Sequence, residues 1–115
     1  MKQFILTFLI LFSSSVHAEE ISTSCLSASG MSRYDLNFDT ETGKGTIRYR
    51  YMKQDTTYDV LIYEIKNSII KGVAHFASSR TGDTKGNSFK FVYDYSNNLF
   101  SEVNINAKCI NAEIR

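Results

Sequence analysis

Few side chains in this sequence have the chemistry to move a proton, attack a carbonyl or hold an ion. The 115 residues include two histidines, His17 and His75, two cysteines, Cys25 and Cys109, and no tryptophan or proline. Paired carboxylates for acid–base work would have to come from Asp35, Asp39, Asp59, Glu64, Asp94 and Glu102. Of these, Glu64, flanked by Tyr63 and Ile65, has the neighbours that most favour burial and a perturbed pKa. A zinc centre needs clustered His, Cys or carboxylate ligands, and neither a CxxC pair nor clustered histidines occur. A serine nucleophile would depend on His75, and no serine sits in a glycine elbow such as GxSxG. The expectation is a chain that is not an enzyme, with no metal and no cofactor. His75, in AHFAS, shares a strand face with Val73 and Ala77 and reads as a partly buried structural residue.

Three other stretches suggest binding chemistry. TGKGT, Thr42 to Thr46, has the glycines and lysine of a phosphate loop but not the GxxxxGK[ST] spacing, and it lies between two strands with no helix to present its amides. TIRYRYM, Thr46 to Met52, interleaves arginine with tyrosine. On a pleated strand Ile47, Tyr49 and Tyr51 face one way while Arg48 and Arg50 face the other, so the rings and charges cannot jointly grip one nucleotide. Asp35 and Asn37 on the preceding strand can lie across from the arginines, which leaves Arg48 and Arg50 as rim contacts for a protein partner. RTGDTKGN, from Arg80 to Asn87, is the longest polar connection and carries Arg80, Asp83 and Lys85 on a glycine-bounded loop, where binding residues tend to sit.

SASGMSRY, Ser27 to Tyr34, resembles the Ser-x-Ser-Gly-x-x-Tyr loop of periplasmic inhibitors of C-type lysozyme, which are small disulfide-bonded β-barrels. The match covers Ser27, Ser29, Gly30 and Tyr34. The family's loop comes later in its chain, and its second segment contains a tryptophan that this chain lacks. The resemblance is a hint of class, and Ser27 and Ser29, with the neighbouring Arg33, join the candidate binding residues.

Residues 1–18 read as a signal peptide: Lys2 supplies a positive start, Phe4 to Phe12 an apolar run, and Val16 and Ala18 the small-residue spacing that places cleavage before Glu19. The run is too short to span a bilayer, and no second one follows, so no integral membrane segment is expected after its removal. Ile21 to Ser24 are not the residues that precede a lipidated cysteine. Periplasmic or secreted localisation follows. Lys2 is one of 13 basic residues and leaves with the leader, so residues 19–115 carry 12 basic and 12 acidic groups. A net charge of zero argues against a nucleic-acid partner. In an oxidising compartment Cys25 and Cys109, near the two ends of the mature chain, are expected to form a disulfide. A loop that long is worth roughly 4 to 5 kcal/mol in the chain-entropy description.

The elements that must position these residues are strands. Short β-branched and aromatic runs alternate with clusters of Gly, Asn, Asp, Ser and Thr. Ser22 to Ser27 is a first strand. Arg33 to Asp39 sets Tyr34, Leu36 and Phe38 on one face. TETGKG follows as a hairpin loop in which Gly43 and Gly45 can supply positive φ. After TIRYRYM, KQDT turns into Thr57 to Lys66, apolar on both faces and therefore expected to be doubly covered. Ile69 to Ser79 carries Gly72 as a bulge or close-packing point. SFKFVYDY lines up Phe89, Phe91, Tyr93 and Tyr95, and Leu99 to Ile110 reads as one strand with Val103, Ile105, Ala107 and Cys109 in alternation.

Residues 19–115 are thus expected to form a single all-β domain, a small antiparallel barrel-like meander of about seven to eight strands closed by one disulfide, with a two-layer β-sandwich as the alternative. The expected function is that of an exported binding protein, an inhibitor or immunity-type protein occluding another exported protein such as a cell-wall hydrolase. The alternative is a lipocalin-like carrier whose aromatic face of Tyr34, Phe38, Tyr49, Tyr51, Phe89, Phe91, Tyr93 and Tyr95 lines a cavity for a small ligand.

Overall fold

The computed structural model describes residues 19–79, 88–103 and 105–115. The expected signal peptide, residues 1–18, and the expected binding residues Arg80, Asp83 and Lys85 lie outside these. Nine strands follow in order: β1 (Glu20–Ser27), β2 (Ser32–Asp39), β3 (Lys44–Tyr51), β4 (Gln54–Lys66), β5 (Ile69–Ser79), β6 (Phe89–Asp94), β7 (Leu99–Glu102), β8 (Ile105–Cys109) and β9 (Glu113–Ile114). Each strand from β1 to β8 pairs antiparallel with the next, and β8 returns to β1. Eight strands therefore close a barrel, and β9 pairs with Ile21 and Ser22 further along β1. A sheet continuous all the way round excludes the sandwich. Among the described residues no helix is long and apolar enough to cross a membrane.

Closure rests on a short seam. Only Cys25, Leu26 and Ser27 of β1 face β8, and Cys25 lies directly opposite Cys109. The disulfide joins that pair across the seam, inside the core. A seam of few ladder bonds is where a covalent tie adds most, because the two strands come from opposite ends of the chain.

Period-two alternation fills the interior. In β2, Ser32, Tyr34, Leu36 and Phe38 are buried while Arg33 and Asn37 are exposed. Ile21 and Thr23 from β1, Ile47 from β3, Thr56, Tyr58 and Val60 from β4, and Ile70 and Ala74 from β5 join them. An aromatic column runs through the centre, with ring centroids 5.3 Å apart for Phe38–Phe91, 5.8 Å for Phe91–Phe100 and 4.8 Å for Phe100–Tyr34. Gly72 is required by this column. A Cβ there would lie 2.8 Å from the Phe91 ring and 2.7 Å from the Leu61 carbonyl oxygen. Opposite it the register steps from Ile62 to Glu64, so Tyr63 bulges out of β4.

Several expectations need correction. Leu99 to Ile110 is two strands: Glu102 faces Ile105, and the chain reverses between them. Val103, placed in the alternation above, is instead 79% exposed, and Phe100 takes the buried position. β4 is not doubly covered, because Leu61 and Tyr63 face solvent on its outer side. His75 is exposed on the same outer surface, with Nδ1 2.8 Å from the Ser88 hydroxyl. Gly43 has φ +73° in the β2–β3 turn as expected, but Gly45 lies in β3 and serves close approach, since a Cβ would strike the Asn37 carbonyl. The β3–β4 reversal falls at Met52 and Lys53, so of the expected KQDT turn Lys53 is in it and Gln54, Asp55 and Thr56 already belong to β4.

Candidate functional site

The strand register sorts the loops into two ends. At one end lie the β1–β2 loop (residues 28–31), the β3–β4 turn (Met52 and Lys53), the start of β6 and the β7–β8 reversal. At the other lie the β2–β3, β4–β5 and β6–β7 turns, with the start of β1.

Two of the expected binding residues are at the first end, where their hydroxyls build the loop. The Ser27 and Ser29 hydroxyls are 3.2 Å apart, Ser27 Oγ accepts the Ser32 amide at 3.2 Å, and Ser29 Oγ accepts the Met31 amide at 3.3 Å. Gly30, at φ +76°, donates its amide to the Ser27 carbonyl. The tie holds Met31 out in solvent at 52% exposure.

Three more form an ion-pair belt on the outer wall. Arg33 and Arg50 are directly cross-strand, an unfavourable pairing of like charges that Asp35 resolves by accepting from both. Burial pushes the Asp35 carboxyl up, but hydrogen bonds from Ser24 and Arg33 and the charges of Arg33 and Arg50 outweigh it, so its pKa is lowered. Arg48 binds Asp55 with two parallel bonds of 2.9 and 2.7 Å. The expected neutralisation of the arginine strip is therefore present, with Asp35 taking Arg50 as expected; Asn37 instead hydrogen-bonds Ser22, and Asp55, which the sequence did not single out, takes Arg48.

At the first end the interior is not filled. The mouth holds an open cavity of about 290 Å³ lined by Tyr34, Tyr49, Tyr58, Ser88, Phe89, Glu102 and Ile105. Tyr34 and Tyr49 form one wall, with centroids 5.0 Å apart, and the Tyr49 hydroxyl is tied to Ser32 at 3.3 Å. Tyr58 and Phe89 form another, edge to face at 5.0 Å. The side chain of Glu102 enters between them because Phe100, two residues earlier, points into the core and the strand period carries Glu102 to the same side.

The Tyr34 hydroxyl donates to Glu102 Oε2 at 3.3 Å. Among the described residues this is the only hydrogen bond Glu102 receives, and no cation pairs with it. Burial raises the Glu102 pKa above the usual carboxylate range, and the Tyr34 bond offsets only part of that. Burial, followed by the nearby Glu102 charge, likewise pushes the Tyr34 phenol up. Glu64, the carboxylate expected to be perturbed, is instead exposed and 3.7 Å from Lys71. The signal for Glu102 was the odd spacing of Phe100 and Val103: both cannot face inward on one strand.

A larger groove of about 520 Å³ runs along the outer wall past Ser22, Ser24, Arg33, Asp35, Asn37 and Glu113. Its hydroxyls and carboxylates are largely bonded to one another, as Ser22 to Asn37 and Ser24 to Asp35. Among the described residues no three His, Cys, Asp or Glu side chains converge where an ion could sit. Fold and site define a disulfide-closed eight-stranded barrel with one open, acidic, aromatic mouth. No protein-family model, no curated protein and no solved structure matches this chain.

Proposed function

We propose that this protein is an exported, non-enzymatic binding protein of the inhibitor or immunity type, which occludes another exported protein with the mouth end of its barrel. The observation that carries this reading is the chemistry of the loop tips there. Met31, Tyr51, Met52 and Val103 are all exposed around the opening; the opposite turns, Asp39 to Lys44, Lys66 to Ile69 and Asp94 to Leu99, are mainly polar, and the exposed Leu61, Tyr63 and Ile65 toward that end lie along the β4 wall rather than at the turn tips. Methionine and tyrosine ringed by polar groups are the composition of a protein interface.

Met52 strengthens the reading. It is 75% exposed and has φ 53°, a left-handed backbone costing a side chain about 1–2 kcal/mol that glycine would avoid. A large apolar side chain placed where both burial and backbone disfavour it is better accounted for by a partner than by the fold. The disulfide suits the oxidising compartment to which the leader points. The carrier alternative is weakened by the packed column, because Phe38, Phe91 and Tyr93 are core rather than cavity lining.

The test is capture of exported cell-wall hydrolases, lysozymes among them, on immobilised protein. The wild type is expected to retain a hydrolase that the double variant Met31→Glu, Met52→Glu releases. Equal retention by both, or none by either at micromolar protein, sinks the proposal.

A further inference from the structure

The mouth cavity combines three features that select one kind of guest. Its walls are the rings of Tyr34, Tyr49, Tyr58 and Phe89, whose π faces attract positive charge. Its one carboxylate, Glu102, sits half-buried among them and is paired with no cation among the described residues. Among the described residues the other hydrogen-bonded carboxylates that are shielded from solvent are matched within the fold: Asp35 by Arg33, Arg50 and Ser24, Asp39 by the Glu41 and Thr42 amides, Asp55 by Arg48, and Asp94 by Ser68, Ser96 and Asn97. A half-buried carboxylate without a counter-ion is destabilising as it stands, and a cation entering the cavity relieves that cost.

The hydrogen bonds narrow the class of cation. Tyr34 donates to Oε2, so a fork across both oxygens would share that oxygen with the phenol, whereas Oε1 has no donor among the described residues. A guanidinium reaches its full strength against both oxygens of a carboxylate in a bidentate fork, as Arg48 does with Asp55. An ammonium is a point charge that one oxygen satisfies, and its alkyl stem can lie against the rings.

We propose that the mouth of the barrel is a receptor for a single alkylammonium group, with Glu102 as counter-ion and Tyr34, Tyr49, Tyr58 and Phe89 as an aromatic cage. Resting on the docking function proposed above, its guest is a lysine side chain that the partner inserts as the loop tips close around it. A free primary amine has the same chemistry, and the test separates the two.

Purified protein is titrated with Nα-acetyl-lysine amide while NMR follows Tyr34, Tyr49, Phe89 and Glu102. Controls are the uncharged Nα-acetyl-norleucine amide and Nα-acetyl-arginine amide. The lysine probe is expected to saturate, with the norleucine and arginine probes at least about tenfold weaker. Glu102→Gln is expected to remove lysine binding while leaving spectral dispersion intact, since the variant deletes a charge and keeps the shape. Norleucine binding as well as lysine, or a folded Glu102→Gln protein binding lysine undiminished, overturns the receptor.

Partner capture separates the two proposals. A hydrolase retained equally by wild type and Glu102→Gln overturns lysine insertion and leaves docking in place. Glu102-dependent saturation by the lysine probe without any captured partner supports the receptor, assigns its guest as a free amine and rejects docking.

Discussion

Asp94 and Glu102 stand eight positions apart, at the far and mouth ends of the barrel, and their surroundings push them in opposite directions. Asp94 ends β6 and is wrapped by donors from Asn97, Ser68 and Ser96, which in that order hold its pKa down at about 2. Glu102 ends β7 among aromatic rings and is raised by burial, with one phenol for support. The same chemical group serves the fold at one end and is left uncompensated at the other. Turns at the far end complete their own hydrogen bonding, as Asp39 does in accepting the Glu41 amide at 2.9 Å. On the proposed function, the acid and the apolar tips of the mouth are what a partner would meet, and stability and recognition would be separated along the barrel axis.

The contrast can be broken most strongly in the core. Phe91→Ala, in the filled middle, is expected to cost about 3–5 kcal/mol in urea unfolding. Phe89→Ala, two residues away at the mouth, should cost only about 1–2 kcal/mol because its ring already meets solvent. Equal costs would mean that the mouth is core. Replacing Cys25 and Cys109 with serine should cost about 2–5 kcal/mol, read in the same experiment, since the β1–β8 seam then rests on a few ladder bonds.

The two carboxylates give opposite pH signatures. The folded pKa of Asp94 is depressed, so its contribution is present above the unfolded carboxylate value and is lost as pH falls toward about 2. Asp94→Asn should therefore lower the melting temperature at neutral pH and matter little in strong acid. The folded pKa of Glu102 is raised, so its stabilising contribution is complete below the unfolded value and is lost as pH rises through the folded one. Glu102→Gln should consequently melt higher than wild type at neutral pH and converge with it in acid. The smallest effect belongs to Met52→Gly, expected to gain roughly 0.5–1 kcal/mol from the relieved left-handed backbone while weakening partner capture.

Much of the barrel was legible because period two is strict where one face is buried. β2 reads off Tyr34, Leu36 and Phe38, and the paired cysteines announce closure. The mouth was hidden for a local reason. Val103, Ile105, Ala107 and Cys109 alternate so regularly that LFSEVNINAKCI looks like one strand, and no glycine or proline marks its reversal. That reading turned Glu102 outward, where an acid needs no explanation. β4 misled in the other direction: Leu61 and Tyr63 are apolar yet exposed, and side-chain type alone does not report which face is covered. The arginines of TIRYRYM were read correctly as an outer strip, but their diagonal partners depend on side-chain reach as well as register.

The uncompensated acid in the mouth is tested most directly by following the side-chain carboxyl carbons of Glu102 and Asp94 through a pH titration, with and without Nα-acetyl-lysine amide. Glu102 is expected to titrate above the ordinary glutamate range and to move down when the amine is added, while Asp94 stays near about 2 in both series. A Glu102 that titrates at or below the ordinary value, or one that the amine leaves unmoved, would contradict the account.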